Sequence, residues 1–594
     1  MNNTERTYDL RPVIDVRDLG FAKTGYSAAV EAIRSALGSA ASKDGATHTV
    51  VVVECYPGTD LEMLRERLIA PLSPALVVSA DDCMQDAASI QKRIADTITD
   101  DRVFGILSHY TIDQFLDSEH LAAARASIEG QSGLVIVYGF GAARIAGDCD
   151  LLVYADITRW EIQLRLRAGM PNWMADNATE DQLRKFKRGY FFEWRMADRE
   201  KQRLYDRVDL MLDTTRANAP VMVDGELYRR ALSEAATRPF RLVPYFDASV
   251  WGGHWMQEHF GLDPKADNFG WAFDGVPEEN SIILDFDGAQ LEIPAINLVF
   301  ARPNELLGPK VHARFGKEFP IRFDYLDTMG GGNLSLQVHP LVEYAQDKFG
   351  IHYTQNESYY ILDASEDSCV YLGTKTGTDK DELVADLERA ATGDEPFHDE
   401  RFINCFPVKK HDHVSIPAGT IHCSGPNTVV LEISATPYIF TFKLWDWGRV
   451  GLDGIPRPVH INHGKHNICM ERDTEFALNQ LVDRVDSPHE NLTDQLGVRE
   501  EKTGLYGLEF IETRRHWFKE SARLDCHGSV NMLNLVEGDV AAVESLDGSF
   551  EPFEIHYGET FIVPAQVGAY AIRNLGDADK EIAVIQAYVR GCEG

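Results

Sequence analysis

The sequence predicts a multidomain protein in which an α/β domain with a parallel sheet precedes two mainly-β domains. From Thr47 onward, short apolar runs alternate with amphipathic stretches, an order typical of a parallel sheet covered by helices. From Tyr245 onward, strand-like runs separated by glycine turns dominate the chain. With 594 residues, the chain is long enough for several domains. We expect domains at residues 1–240, 241–464 and 465–594.

The α/β domain is predicted from apolar runs that are short enough to be buried strands. These runs are His48–Cys55, Ala75–Ser79, Val103–Leu107, Gly133–Gly139 and Asp150–Asp156, with helices predicted at Leu61–Ala70 and Ala87–Thr97. A last strand is predicted over Arg207–Thr214. Residues Thr215–Arg241 are predicted to be a polar linker.

A long charged helix is predicted over Asn177–Arg207, with Asn177 or Thr179 as its N-cap. It carries a cluster of four basic residues, namely Arg184, Lys185, Lys187 and Arg188. The cluster has two interpretations, a solvated helix face or a basic lid over a phosphate.

The mainly-β part contains one predicted helical insertion, over residues 376–393. The last domain repeats the order strand, glycine turn, strand and VPA turn, as in the run Tyr557–Tyr570. That run contains no histidine after the turn, so we expect the last domain to bind no metal.

Charge and cysteine content limit the classes of partner and location. The chain has 58 basic and 93 acidic residues, a net charge of −35, which repels nucleic acid and anionic lipid. Nine cysteines without a CxxC pair predict reduced thiols. We find no signal peptide and no apolar run of the ~18 residues that a membrane helix needs. We therefore expect a cytoplasmic protein, and the oligomeric state stays open.

Four side chains on strand-like segments are candidate metal ligands. In LSLQVHP, Gln337 and His339 are two residues apart and point from the same face of a strand. Glu357 opens the apolar run SYYIL, and the turn PAGT delivers His422 into a further strand. Nitrogen and oxygen ligands without a thiolate suit Zn²⁺, although Mn²⁺, Fe²⁺, Co²⁺ and Ni²⁺ fit as well.

These segments resemble the type I phosphomannose isomerase family. The resemblance is carried by the WGG phrase at 251–253, WAFDGVPEEN at 271–280, LSLQVHP, the Glu357 segment, PAGTIH and WDWGR. It covers the chain from about Tyr245 and implies a cupin barrel, with a second cupin at 465–594. It also implies that one zinc ion is bound by four residues, here Gln337, His339, Glu357 and His422. Arg449, at the end of WDWGR, matches the family's catalytic arginine.

The α/β domain resembles a P-loop nucleoside or nucleotide kinase in the order of its elements. A working P-loop needs a lysine for the phosphates, and none occurs between Lys43 and Lys92. The corresponding turn here is ECYPGTDLEML, which follows the run His48–Cys55, and its Glu54 and Asp60 would place negative charge beside a phosphate. We therefore predict a degenerate kinase-like domain. Asp81 and Asp82 are either remnants of a catalytic acid or surface carboxylates.

The chain departs from the isomerase pattern close to the predicted metal. Gln355 stands where the family usually has a lysine, two residues before the ligand Glu357. Glu432 in the apolar run VVLEIS is the first candidate for proton transfer, with His413 and Asp412 as alternatives. Arg449, Lys443, Lys409 and Lys410 are candidates for a phosphate pocket.

The resemblance implies a metal-dependent isomerase that interconverts mannose 6-phosphate and fructose 6-phosphate through an enediolate. A small-molecule sugar phosphate is then the expected partner. Three alternatives stay open: an isomerase for a different sugar, a non-catalytic sugar or nucleotide sensor, and a bifunctional kinase–isomerase. Glu278 and Glu279 in PEEN either contact the substrate or are structural.

Overall fold

The structure is a computed structural model that describes residues 8–41, 48–393, 395–435, 440–452, 454, 457–504 and 506–592. Two compact units are formed by interleaved segments of the chain. The α/β unit comprises Val13–Ala235 and Ser281–Ala301, and the β unit comprises Met1–Pro12, Ala236–Asn280 and Arg302–Gly594. In the described ranges, no helix is both long and apolar enough to cross a membrane.

The α/β unit is built on a seven-stranded sheet. Its strands are, in spatial order, Lys23–Thr24, Val221–Asp224, Leu210–Asp213, Leu151–Asp156, His48–Cys55, Gly133–Gly139 and Leu76–Ser79. The last five of these run parallel, whereas the first two are antiparallel to their neighbours. The run Val51–Val53 has no exposed surface, as expected for a central parallel strand covered on both faces. The predicted parallel sheet is confirmed.

Helices cover this sheet in the predicted alternation. They are Tyr26–Ala41, Leu61–Leu64 with Arg65–Ile69 and Ala70–Leu72, Ala87–Ile98, Ile112–Phe115, Ser118–Gly130, Ala142–Ala146, Arg159–Arg167, Gln182–Arg188, Gly189–Glu193, Trp194–Leu204, Tyr205–Arg207, Gly225–Ala235 and Ile296–Ala301, with a short turn at Arg17–Leu19. The unit therefore contains both helices predicted between its early strands.

Two predictions for the α/β unit are wrong. Val103–Leu107 is not a strand, because the Asp101 carboxylate accepts hydrogen bonds from the backbone N–H groups of Val103 (2.6 Å) and Phe104 (2.8 Å) and folds the chain into a turn. Residues 215–241 are not a linker, since they contain the strand Val221–Asp224 and the helix Gly225–Ala235. That helix buries an apolar face with helical spacing.

The long helix starts later than predicted. Asp181 caps it by accepting from the N–H groups of Leu183 and Arg184, whereas the predicted cap Asn177 accepts from the N–H of Asn172 at 2.9 Å. The helix continues from Gln182 through a wider π-helical turn to Leu204.

Three of the four basic residues on this helix, Lys185, Lys187 and Arg188, are buried and form neither a solvated face nor a phosphate lid, whereas Arg184 is half-buried. Lys185 and Lys187 are 1% and 0% exposed. Lys185 donates to the Leu166 carbonyl at 2.6 Å, and Lys187 donates to the Thr99 carbonyl at 3.3 Å. Arg188 pairs with Glu193 at 2.9 Å. Both interpretations are wrong for these three residues, because the two lysines donate to backbone carbonyl groups and Arg188 pairs with a buried carboxylate.

The first half of the β unit contains two mainly antiparallel sheets. The seven-stranded sheet has the order Val482–Asp483, His413–Ile416, Asn356–Ala364, Thr428–Ala435, Arg322–Asp327, Trp271–Gly275 and Tyr245–Asp247. The five-stranded sheet has the order Ile403–Pro407, Cys369–Thr374, His422–Ser424, Leu336–Val338 and Phe442–Trp445.

Two further antiparallel sheets form the C-terminal part of the β unit. One has the order Val498–Thr503, Ile511–Phe518, Ile582–Val589, Asn531–Glu537 and Thr560–Val563, and the other Ser521–Asp525, Ala569–Asn574, Val540–Ser545 and Phe553–His556. Apolar residues including Leu533, Val543 and Phe561 form one core with no exposed surface. This part of the chain is mainly β, as predicted.

The β unit has few helices. They are Trp255–His259, Pro303–Leu307, Pro309–Phe315, Val342–Phe349, Lys380–Ala391, Asp399–Phe402, Ile461–Gly464, Thr474–Phe476 with Ala477–Leu481, and Ala565–Val567. The helix Lys380–Ala391 lies within the predicted insertion and is capped by the Asp379 side chain, which accepts from the N–H of Glu382 at 3.0 Å. The predicted helical insertion is confirmed.

One hairpin belongs to the α/β unit although it follows a segment of the β unit in the chain. Ser281–Phe286 pairs with Ala289–Pro294, and its Leu284 lies beside Ile14 in a parallel pair. The backbone N–H of Glu292 donates to Asp213 at 3.0 Å. The division of the chain into three domains at 240 and 464 stays a prediction.

Candidate metal site

The predicted ligands lie on neighbouring strands of the β unit. Gln337 is the direct partner of His422 across an antiparallel pair, and His339 follows the same strand two residues later. Glu357 lies near the start of Asn356–Ala364, opposite Ile416 and Ser434 on the adjacent strands. Register and alternation therefore bring the four side chains together.

Three of these side chains form a group that can hold a metal ion. One ligand atom from each of His339, Glu357 and His422 lies within 4.8 Å of the others. Glu357 Oε2 is 3.0 Å from His339 Nε2, and Glu357 Oε1 is 2.8 Å from His422 Nε2. The amide of Gln337 is 3.1 Å from the same His422 nitrogen. All three members of the group are 0% exposed.

The hydrogen bonds of the imidazoles show that this group fits a cation. His339 Nδ1 is 2.9 Å from the Phe440 carbonyl, and His422 Nδ1 is 2.8 Å from the Thr420 carbonyl. A carbonyl only accepts, so both Nδ1 atoms carry hydrogen and each neutral ring presents a lone pair at Nε2. Those lone pairs face the acceptor oxygens of Glu357. These three buried groups bring lone pairs together at a position that a proton or a metal cation would satisfy.

Glu357 has the charge state that a metal ligand needs. Burial acts to raise the pKa of Glu357, but positive charge at the two imidazole Nε2 atoms outweighs burial and lowers the pKa well below its usual range. The side chain is therefore a carboxylate, the form that binds a divalent ion.

Gln355 and Glu432 adjoin Glu357. The Gln355 amide donates from Nε2 to Glu357 Oε2 at 2.7 Å and to Glu432 Oε1 at 3.3 Å. Burial raises the pKa of Glu432 well above its usual range, and the charges of Asp324 and Glu357 raise it further. Gln355 is 4% and Glu432 is 6% exposed.

The same sheet face carries polar residues that were not identified from the sequence. Asp324 and Tyr359 are the direct cross-strand partners of Glu432, and Arg322 lies two residues before Asp324. Burial raises the pKa of Asp324 to about 7, and the Arg322 guanidinium opposes that rise. In the sequence, these residues are marked only by the alternation of the run RFDYLD. Alternation predicts which side chains share a face of the strand, but not which face lines a site.

Arg449 lies apart from the ligand group. Its guanidinium donates to the Asn333 carbonyl at 2.7 Å and to Asp446 Oδ1 at 2.6 Å. Asp446 also accepts from the Ser335 hydroxyl at 2.8 Å and pairs with Arg457 at 2.8 Å. Arg449 is thus held beside the segment that leads into Leu336–Val338, and in the described ranges it makes no hydrogen bond to the four predicted ligands.

The alternative candidates for proton transfer have structural partners. His413 is 2.8 Å from the Ser358 hydroxyl and 3.0 Å from that of Thr503, and burial lowers its pKa to about 3. Asp412 pairs with Arg484 at 3.0 Å and accepts from the backbone N–H of Val485 at 2.9 Å. The structure leaves Glu432 as the predicted proton carrier that adjoins Glu357.

The lysines predicted for a phosphate pocket have different surroundings. Lys409 forms an ion pair with Asp486, and Lys410 forms one with Glu537 at 2.5 Å. Lys443 lies directly opposite Gln337 and therefore shares its sheet face. Glu278 and Glu279, both 8% exposed, lie close enough to Arg322 for their charges to raise its pKa.

Two acidic side chains of the segment that was predicted to resemble a P-loop have partners of their own. The Glu54 carboxyl group accepts from the backbone N–H of Gly141 at 2.6 Å and of Ala143 at 2.8 Å. Asp60 caps the next helix by accepting from the N–H of Met63 at 2.9 Å. Asp81 is half-buried and burial raises its pKa, whereas Asp82 is exposed, as the surface interpretation of this pair expects.

Comparisons with known proteins find a family model, sequence relatives and solved structures that match parts of the chain. A family model described as a domain of unknown function (DUF8485) matches residues 25–237. The mannose-6-phosphate isomerase ManA of Bacillus subtilis is 26% identical over 344 residues, which are 57% of this chain and 98% of that protein. The mannose-6-phosphate isomerase of Streptococcus mutans is 27% identical over 225 residues, and the match spans 65% of that protein.

A solved structure of mannose 6-phosphate isomerase from Bacillus subtilis also matches. The match has a TM-score of 0.47 and 20% identity, and it covers 59% of this chain and all of the other. The sequence relatives are thus mannose-6-phosphate isomerases at low identity.

Proposed function

We propose that this chain is a metal-dependent aldose–ketose isomerase that interconverts mannose 6-phosphate and fructose 6-phosphate. The observation that carries the proposal is the convergence of His339, Glu357 and His422, whose buried acceptor atoms need a cation between them. The sequence similarity to mannose-6-phosphate isomerases supports the choice of substrate.

Gln337, His339, Glu357 and His422 would hold the metal, and Zn²⁺ suits this set of nitrogen and oxygen donors. A bound divalent ion would act as a Lewis acid on the sugar oxygens. Gln337 would coordinate through its amide oxygen, which a half-turn of the amide places where the nitrogen now lies. The free cysteines support a reducing, cytoplasmic location.

Glu432 is the proposed proton carrier between C1 and C2 of the sugar. Isomerisation through an enediolate needs one group that removes a proton from one carbon and returns it to the other. Glu432 is buried and its pKa is raised, so its carboxyl group is a stronger base than an exposed carboxylate. The Gln355 amide orients the Glu432 side chain by donating a hydrogen bond to its Oε1 atom.

Arg449 is proposed to stabilise negative charge on the substrate. Its guanidinium is fixed by Asp446 and the Asn333 carbonyl, and such a preorganised cation loses little entropy when it meets an anion. This role requires the sugar to extend from the metal site towards Arg449.

A coupled assay tests the proposal. Zinc-loaded protein is given mannose 6-phosphate, formation of fructose 6-phosphate is measured, and an EDTA-treated sample serves as the control. Metal-dependent turnover is the expected result. Stoichiometric metal without turnover would support the second candidate, a non-catalytic sugar sensor, which the neutral amide of Gln355 beside Glu357 favours.

A kinase activity of the α/β unit is not proposed. The turn after His48–Cys55 lacks the lysine that a P-loop needs, and the Glu54 side chain accepts from the N–H groups of Gly141 and Ala143 in the neighbouring glycine turn. We expect ATP to show no binding to the full chain by calorimetry at millimolar concentration.

A further inference from the structure

A buried carboxyl group in the C-terminal part of the β unit has no hydrogen-bond partner. Glu509 is 6% exposed, and both of its carboxyl oxygens are buried without a hydrogen bond to any residue that the structure describes. Its backbone is ordered, since its N–H donates to the Tyr506 carbonyl at 2.9 Å. The side chain is thus held in place while its polar atoms are left unsatisfied.

The loop that carries Glu509 is attached to the segments around the candidate metal site. The N–H of Tyr506 donates to the Ser415 hydroxyl at 2.8 Å, on the strand that neighbours Glu357. Phe510 packs with its ring centroid 4.7 Å from Phe315 and 5.7 Å from Tyr353, two residues before Gln355.

The electrostatics agree with this placement. Burial raises the pKa of Glu509 well above its usual range, Arg590 and Arg472 oppose the rise, and the charge of Glu357 adds to it. The placement itself comes from the loop contacts, which hold the residues on both sides of Glu509 against Ser415 and Tyr353, in the segments next to Glu357 and Gln355.

A structural carboxylate of the same region looks different. Glu501 is 2% exposed, and its Oε2 accepts from Arg515 Nη2 at 2.8 Å and Nε at 3.0 Å and from Trp517 at 3.3 Å. Glu501 thus meets the rule that buried polar groups are satisfied, whereas Glu509 breaks it. A native protein keeps such an unsatisfied group at a cost in stability where a ligand supplies the missing partners.

We propose that Glu509 is a substrate-binding residue whose carboxyl group hydrogen-bonds hydroxyl groups of the sugar at the candidate metal site. The inference rests on the proposed function and extends it, because it assigns part of the sugar-binding surface to the C-terminal sheets. Sugar hydroxyls both donate and accept, so they satisfy the carboxyl group in either protonation state.

The test compares Glu509→Leu with the matched control Glu501→Leu at pH 8. For Glu509→Leu we expect KM for mannose 6-phosphate to rise about tenfold, kcat to change less than threefold, and zinc content to stay at the wild-type level. Its urea midpoint of unfolding should rise, because a buried carboxyl group without a partner in the protein is replaced by an apolar side chain. For Glu501→Leu we expect a lower midpoint, because Arg515 loses its partner, and an unchanged KM.

Two results would overturn the inference: an unchanged KM, or a lower unfolding midpoint, for Glu509→Leu. The outcome stays separable from the proposed function. If the wild-type protein does not turn over, calorimetry with mannose 6-phosphate decides: tenfold weaker binding to Glu509→Leu supports the role of Glu509 alone. Absence of binding to the wild-type protein rejects both proposals.

Discussion

The Gln355 amide donates a hydrogen bond to Oε2 of Glu357 at 2.7 Å. The same nitrogen lies 3.3 Å from Glu432, so one neutral side chain connects the central carboxylate of the metal group to the proposed proton carrier. A lysine at this position would bring a positive charge, whereas glutamine brings only a dipole. Gln355 therefore orients two carboxyl groups without neutralising either of them.

Replacing Gln355 by leucine should weaken metal binding. The substitution leaves Glu357 and Glu432 without a shared donor, and loss of an outer-shell partner typically costs about 10- to 100-fold in metal affinity. A chelator competition titration with Zn²⁺ measures the effect. Gln346→Leu, at an exposed position of the helix Val342–Phe349, is the control and should match the wild-type affinity. Equal affinities for both variants would contradict the role of Gln355.

Glu357→Gln should abolish stoichiometric metal binding. The substitution removes the one negative charge among the predicted ligands, so the lone pairs of His339 and His422 no longer meet a charged oxygen. Metal content after gel filtration is the measurement, and a circular dichroism spectrum checks that the fold persists. Glu343→Gln, in the first turn of Val342–Phe349, serves as the control. Retention of one metal per chain by Glu357→Gln would remove it from the ligand set.

Arg449→Ala should keep the metal and lose turnover. Removal of a preorganised donor from a charge-stabilising site typically lowers kcat by about 10²- to 10³-fold. Arg457→Ala is a matched control, since Arg457 pairs with the same carboxylate, that of Asp446. We expect a smaller effect for it. An unchanged kcat for Arg449→Ala would exclude Arg449 from the reaction.

Glu54 should make the stability of the α/β unit depend on pH. Burial raises the pKa of Glu54 to about 8, although the N–H groups of Ala143 and Gly141 oppose the rise. Between the unfolded value near 4.5 and about 8, the folded state holds a proton that the unfolded state has released. The contribution of Glu54 to the free energy of unfolding is therefore largest below about pH 4.5 and is lost as the pH rises from there to about 8.

Glu54→Gln removes this dependence. The difference in free energy of unfolding between the variant and the wild-type protein should grow in favour of the variant from pH 5 to pH 8, by on the order of 3 kcal/mol. Urea unfolding at several pH values provides the measurement. The change with pH is the test, since an amide also alters the hydrogen bonds to Gly141 and Ala143 at every pH. A constant difference would show that Glu54 does not titrate in this range.

The sequence predicts the parallel sheet and the ligand group for physical reasons that operate locally. The run Val50–Val53 is continuously apolar, and this pattern is typical of a strand whose two faces are both covered. Gln337 and His339 share a face because side chains alternate along a strand. Neither conclusion depends on distant parts of the chain.

Long-range contacts explain what the sequence does not show. Lys185 and Lys187 have the composition of a solvated helix face, yet carbonyl groups from other segments hold them in the interior. Val103–Leu107 has the composition of a strand, but Asp101 holds the start of this run in a turn. Glu509 stands in an unremarkable LEF run, and only burial against residues far away in the chain distinguishes it.

The hairpin Ser281–Pro294 fixes an order of events during synthesis of the protein. The strand Ile14–Asp15 is translated before most of the α/β unit, but its partner Ser281–Phe286 is translated only after the segment Ala236–Asn280 of the β unit. The α/β unit therefore cannot complete its folding while the nascent chain is shorter than about residue 301. A fragment that stops near residue 240 would lack both this strand partner and the Glu292 N–H that Asp213 accepts from.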